Sequence, residues 1–449
     1  MNDRPVTTGS GLRATVGSTQ GGGNDTGAGS SSGGPDRPPP KSTAIDYSGR
    51  GGELAGITVA NTLLTILTLG IYRFWAKTRV RRYLWSHVSF HDSPLEYTGR
   101  GIELFLGFIA AVVILTPLIV VPSYIIPLLD LGLAVSIGFS VFQGVVVLLL
   151  IQVAVYRAWR YRLSRTQWRG VRAGLDGSSF AYAQRAFLWT LASVVTLGLA
   201  VPWANVALHR YRLEHTWFGS KRFSFDGNGR ALMIPWLFPL LTMAVTIAPF
   251  IPIFMAIDLE NGPDRSVAPE VSPYLALLSA LGGTAMWFVY LWYRVRQARY
   301  LASCTTFGGL SFRFDLKTRS VVGRYVLYWL AMVGVYFVVF AVFMIVSFVF
   351  AGVVAALGAA IDPENPFNLQ VLPIGLLATG GVIALVLFIG MLVVQQVLQA
   401  VLFINPLSRV VCENLTVIGE EDFDAIAQSA QARPGRGEGL AEMFDVGAI

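Results

Sequence analysis

Long uncharged stretches separated by short basic or acidic ones set the first pattern in this chain. Residues 104–129, 131–156, 186–208, 231–257, 271–293, 325–361 and 367–408 contain no Asp, Glu, Lys or Arg. A helix needs about 20 apolar residues to cross the hydrocarbon core of a bilayer, so each run is long enough. Between the runs, Leu95/Tyr97, Phe180/Tyr182, Phe223/Phe225 and Phe312/Phe314 alternate with polar neighbours. Period-two alternation predicts short, half-buried strands there.

Composition agrees with the runs. Of 449 residues, 54% are hydrophobic and only 14% are charged, more apolar side chain than one soluble core of this length can cover. The net charge of +7 does not point to nucleic acid, because the cations stand beside apolar runs and not on a separate basic domain. Anionic lipid headgroups are the expected partner. Residues 1–46 are rich in Gly, Ser and Pro, with too few large apolar side chains to bury, and are expected to form a disordered tail. The membrane domain is expected over 47–412, with a polar C-terminal tail over 413–449. Two cysteines, Cys304 and Cys412, fall in segments expected on the cytoplasmic side, where a disulfide is not expected.

The chain repeats itself. A shift of 128 residues lays 68–101 over 196–229 with eleven identities, among them Thr68/Thr196, Leu69/Leu197, Gly70/Gly198, Trp75/Trp203, Arg82/Arg210, Tyr83/Tyr211 and His87/His215. Repeats are expected over 48–156 and 178–293, with a diverged third part over 294–412.

Charge then suggests a topology. Four segments, 73–101, 157–185, 204–230 and 294–324, hold 25 of the 34 Lys and Arg residues, whereas 129–132, 257–272 and 359–370 are mostly acidic. Basic loops remain in the cytoplasm. Run 186–208 has basic segments on both flanks, so it is expected to dip into the membrane and return, turning near Gly198 and Pro202, and the repeat extends this to Leu54–Tyr72. The expected fold is therefore an all-α polytopic membrane protein: about six transmembrane helices plus two re-entrant or interfacial helical hairpins, with short cytoplasmic strands and both termini inside. Eight spans is the rival arrangement.

The segment TLGIYxxWAxxRxxRYxxxH, carried by Thr68, Leu69, Gly70, Ile71, Tyr72, Trp75, Ala76, Arg79, Arg82, Tyr83 and His87 and followed by Tyr97 and Gly99, resembles the YjgN family of uncharacterised bacterial inner-membrane proteins. The resemblance runs roughly from Ser48 to Cys412. It implies residence in the bacterial inner membrane and no particular activity, substrate or cofactor. The second copy departs from it, with Ala200 and Val201 where the first has Tyr72 and Arg73.

Candidate chemistry is sparse. Arg79, Arg82, Tyr83 and His87, with Arg210, Tyr211 and His215 in the second copy, would share a helix face and are candidate contacts for an anionic lipid or ligand. Trp75 and Trp203 are expected interfacial anchors. Gln395, Gln396 and Gln399 are candidates for a polar path, weighed against ordinary hydrogen bonding between helices. His87 and His91 have an HxxxH spacing, but no carboxylate completes a metal set, Asp92 to Pro94 should end the helix, and Gly219 replaces His91 in the second copy. No catalytic motif is present. No ionisable group stands near the middle of a run, since Glu53 and Glu103 lie at segment ends. The leading functional expectation is facilitated movement of a small solute or lipid. A lipid-binding or envelope-organising protein without transport comes next, and a membrane-embedded enzyme last.

Overall fold

The computed structural model describes residues 42–129, 132–251, 257–258, 262–263, 273–361 and 374–428. The chain is not all-α. Eleven strand segments form one antiparallel sheet: β1 (Ser42–Ala44), β2 (Asp46–Tyr47), β3 (Val88–Phe90), β4 (Ser93–Tyr97), β5 (Thr166–Trp168), β6 (Val171–Leu175), β7 (Thr216–Phe218), β8 (Lys221–Phe225), then, after the separate small hairpin β9 (Ile257–Asp258) and β10 (Gly262–Pro263), β11 (Thr305–Phe307), β12 (Leu310–Phe314) and β13 (Leu415–Ile418). Around the sheet the order follows the sequence, and its end strands β1 and β2 are two halves of one extended segment. Its first half pairs with β13 and its second with β3. The sheet thus curls into a nearly closed barrel, which leaves little unpaired strand edge.

Helices alternate with the hairpins. They are α1 (Gly51–Leu67), α2 (Arg73–Ser86), α3 (Gly101–Leu128), α4 (Leu133–Ser164), α5 (Ser179–Val195), α6 (Val201–Glu214), α7 (Met233–Ile247), α8 (Pro273–Ser303), α9 (Thr318–Ile361), α10 (Ile374–Leu398) and α11 (Asn405–Glu413). Each helical pair leaves the sheet from one strand and rejoins it at the strand beside it: β4 is followed by α3 and α4, then by β5, its neighbour. The same holds between β6 and β7 and between β8 and β11.

Five helical regions among the described residues are long and apolar enough to cross a membrane: Gly101–Ile126, Leu133–Ser164, Gly229–Phe250, Thr318–Leu357 and Gly381–Glu413. This corrects the expectation of six spans plus two hairpins. The segment Leu54 to Tyr72 belongs to a pair too short for that class, α1 with α2, and 186–208 to the pair α5 with α6. The repeated Thr-Leu-Gly forms the tight turn in both. Leu69 and Leu197 have φ near 50°, Gly70 and Gly198 near 90°, and each glycine N–H returns to the carbonyl five residues back, Thr65 or Ser193. Such a left-handed residue ends a helix and satisfies its last carbonyls. The threonine hydroxyl then accepts the N–H of the residue that precedes the next helix, Thr68 from Tyr72 at 2.9 Å and Thr196 from Ala200 at 3.0 Å.

Three of the four expected strands stand where alternation placed them, in β4, β8 and β12. Phe180 and Tyr182 do not. They lie in α5, because Ser178 accepts the Ala181 N–H at 3.2 Å and caps a helix there, and the strand of that unit is Val171–Leu175. The packed part extends outward into both expected tails. Ser42–Tyr47 closes the barrel, and β13 and the segment after it are packed, whereas 1–41 and 429–449 lie outside the described residues.

The barrel interior is filled. Phe307, Leu310, Val417 and Ile426 are buried together, with Phe90, Val171, Phe218, Phe223, Phe312 and Phe423 against them. These side chains cluster where the two-residue hairpin turns lie. At that end, residues 421–428 cross the barrel: Glu421 pairs with Lys221 and accepts the Gly309 N–H, and Gln428 accepts the Arg172 N–H at 3.0 Å.

Candidate functional site

An Arg-Tyr pair recurs near the end of the helix before most hairpins, and its two side chains do different work. Tyr83 donates to the Arg50 carbonyl and accepts the Arg50 N–H, both at 2.8 Å. Tyr211 does the same with Ser178, and Tyr300 with Asn228. Each tyrosine thereby fastens the base of its own helical pair. The preceding arginine fastens the next one: Arg82 donates to the Gly99 carbonyl at 3.3 Å, Arg160 to Gly177, and Arg210 to Gly227 at 2.7 Å. Arg409 donates to Gly49 at 3.2 Å and closes the ring between the last unit and the first. Beside these, five equivalent backbone bonds tie together the two ends of each helical pair, from the N–H groups of Ser48, Thr98, Asp176, Asp226 and Asp315 to the carbonyls of His87, Arg165, His215, Cys304 and Asn414.

The expected contact residues therefore divide. Tyr83 and Tyr211 are buried, Arg82 and Arg210 are exposed but tied to backbone, and Arg79 is exposed on α2. His87 and His215 close the C-termini of α2 and α6, each Nδ1 lying 2.7 Å from the carbonyl four residues back and each ring packed at a tilt against the tyrosine. His91 stands in the β3–β4 turn with φ near 47°, so it shares no helix face with His87. Trp75 and Trp203 press against Gly101 and Gly229, where the next helical regions start. Gln396 and Gln399 line a pocket of about 450 Å³ with Thr58, Asn61 and Arg73, while Gln395 accepts from Tyr336 at 3.4 Å on another side.

A larger cavity with converging polar groups lies elsewhere, above the barrel, where α4, α6, α8 and α11 approach β7 and β11. It measures about 770 Å³ and is lined by Trp159, Asn205, His209, Arg212, Arg294 and Gln297 among largely apolar neighbours. No Asp or Glu belongs to its lining among the described residues. Arg212 lies over Trp159, 5.3 Å from the ring centre, and Arg294 donates to Gln297 at 3.1 Å. Burial, then the nearby Arg212 charge, pushes His209 down to about 4, so its imidazole is neutral at pH 7. Two cations, a neutral imidazole and amides facing an apolar wall suit the anionic end of an amphiphile.

Sequence comparison of the repeats does not find this chamber. The residue before each recurring arginine is Arg81, Trp159, His209, Ala298 or Ser408. Two of these five line the chamber with polar or aromatic groups, yet no two copies agree, so self-similarity marks the frame and passes over the lining.

A ring of helical pairs standing on a nearly closed β-barrel, with five membrane-length apolar helices among the described residues, defines an integral membrane protein. The chain belongs to the family described as bacterial protein of unknown function (DUF898), whose model matches residues 42–333. It is 30% identical over 155 residues to Inner membrane protein YjgN of Salmonella typhimurium, covering 34% of this chain and 36% of that protein. Against the YjgN proteins of Escherichia coli O157:H7 and strain K12 it is 30% identical over 132 residues and 28% over 143, covering 29% and 32% of this chain and 31% and 32% of theirs. The match thus spans about a third of the length of these curated relatives. No solved structure matches. With its apolar helices and these relatives, the chain is an inner-membrane protein.

Proposed function

We propose that this is a multi-pass inner-membrane protein that binds an anionic lipid in the chamber, with the barrel and both termini in the cytoplasm. The chamber carries the reading: Arg212 and Arg294 face an apolar cavity whose described lining holds no carboxylate. Facilitated movement of a solute takes second place, because the barrel below is packed with aromatic side chains.

In nanodiscs, the protein is expected to retain anionic over zwitterionic lipid when analysed by native mass spectrometry. Arg212→Ala with Arg294→Ala is expected to weaken that retention at least about tenfold, since each charge-assisted bond is worth roughly 1.5–3 kcal/mol. Equal retention of both lipid classes by the unaltered protein would overturn the reading. A bound anion favours protonation of His209, so affinity is expected to rise as the pH falls from about 6 toward 4, and His209→Ala is expected to remove that rise. The unliganded protein moves the other way. Its His209 binds a proton less readily than in the unfolded chain, so stability declines as pH falls through that window.

The orientation has its own check. The basic segments on the sheet side support a cytoplasmic position for Ser178 and Ser224. Cysteines introduced at both positions are expected to resist a membrane-impermeant thiol reagent in intact cells and to react after lysis. Labelling of either from outside would reverse the assignment.

A further inference from the structure

Four of the five unit junctions are closed by an arginine on a glycine carbonyl, at Gly49, Gly99, Gly177 and Gly227. The fifth breaks the rule. Leu316 stands where the glycine belongs, and its side chain is buried with Val295, Val321 and Val410. Arg299, the arginine of this junction, is exposed and makes no hydrogen bond or ion pair among the described residues. Where the other junctions are tied, a cleft of about 480 Å³ opens between the end of α8 and the start of α9. Arg296, Arg299 and Arg313 line it, with the Thr318 hydroxyl beside them; the Ser303 hydroxyl, also in the lining, donates to the Tyr300 carbonyl at 2.9 Å. One carboxylate, Asp315, also lines it and forms no ion pair, so the cleft keeps an excess of positive charge.

We propose that this junction is a binding site for a phosphate group. Guanidinium groups present paired N–H donors that match phosphate oxygens, and three around one cleft exceed what a single mobile counter-ion needs. Arg296 rests on Trp292, 5.6 Å from the ring centre, which holds one side of the cleft in place. Both helices at its edge continue into long apolar stretches. A phosphate held here can therefore belong to a lipid headgroup or to a soluble phosphate monoester. The cleft adjoins the chamber at Phe314, which lines both, but Arg212 and Arg294 are not among its lining residues.

The full-length protein in phosphatidylcholine nanodiscs would be titrated calorimetrically with short-chain phosphatidate and, in a second arm, with glycerol phosphate. Binding in the first arm alone assigns the site to lipid; binding in both assigns it to the phosphate group whatever carries it. In either case Arg299→Gln with Arg313→Gln is expected to weaken binding about tenfold or more while the melting temperature is kept. Arg210→Gln, which unties an ordinary junction, is expected to lower the melting temperature and leave phosphate binding in place. Both titrations are repeated on Arg212→Ala with Arg294→Ala, which removes the chamber's own share of phosphatidate binding; the component that remains should still depend on Arg299 and Arg313. Failure to bind either probe, or binding that the Arg299/Arg313 variant leaves unchanged, overturns the proposal.

Discussion

Ile426→Ala is expected to destabilise the barrel by about 2–5 kcal/mol, the range for removing a large buried aliphatic side chain and leaving its space unfilled. Ile426 is only 4% exposed, and its side chain meets the turn glycine Gly219 from inside the barrel end. Phe423 beside it touches three rings, Phe90, His91 and Trp168, with centres 5.7, 5.8 and 5.0 Å away. Phe423→Ala should therefore add to the loss, less than a fully buried phenylalanine would because the ring is half-buried. The two sites share a cavity, so the double variant is expected to cost less than the sum. Thermal unfolding in detergent measures the effect, and amide exchange locates it: protection should fall first in β5, β6 and β7, which border the plug. If Ile426→Ala melted like the unaltered protein, the segment would be an appendage and not part of the core.

How much of this was legible in the chain depends on where each signal is written. The apolar runs announce themselves because a bilayer demands about 20 consecutive residues from one helix. The Thr-Leu-Gly turn, the Arg-Tyr pair and the recurring glycines were visible as repeats because each recurs at the same place in the copies that carry it. The barrel was not visible as a barrel. Its strands are two to five residues long, and a strand of that length has room for one or two inward side chains. Its hairpins turn on His91-Asp92 and Arg169-Gly170, with positive φ on residues that sequence rules assign to Asn-Gly. Its closure joins Ser42 to Ile418, a pairing with no local trace.

The same separation explains the hidden last unit. Its hairpin is split between the two ends of the chain, β13 at one and Ser42–Tyr47 at the other, so no sliding comparison of adjacent segments aligns it. The stretches YSGRG at 47–51 and YTGRG at 97–101 are the remaining mark of equivalence. Both present a glycine carbonyl to an arginine and then begin a helix. A segment with the composition of a tail thus completes the fold because its backbone pairs on both sides, and pairing of this kind needs few large side chains.

Gly101→Val and Gly229→Val are expected to have the other large effect, and the two copies of the repeat make it a matched test. A Cβ at Gly101 would lie 2.8 Å from the Trp75 Cα, and one at Gly229 would lie 2.8 Å from the Trp203 Cα. The obstructing atom is backbone in both cases, so no rotamer change relieves the overlap. Helix starts must move away from α2 and α6, pulling Gly99 and Gly227 from the arginines that hold their carbonyls. Overpacking commonly costs about 1–3 kcal/mol, and a clash with fixed backbone belongs at the upper end of that range or above it. Gly56 supplies the opposite sign. It is an exposed residue inside α1 with nothing within 4 Å of an added Cβ, so Gly56→Ala is expected to stabilise by about 0.5–1 kcal/mol through reduced chain freedom in the unfolded state. Melting temperatures of the three variants check the pair of claims together. Equal loss at 101 and 229 means that the tryptophan in each copy serves as a packing stop for the following helix, whatever further contact it makes with the membrane surface.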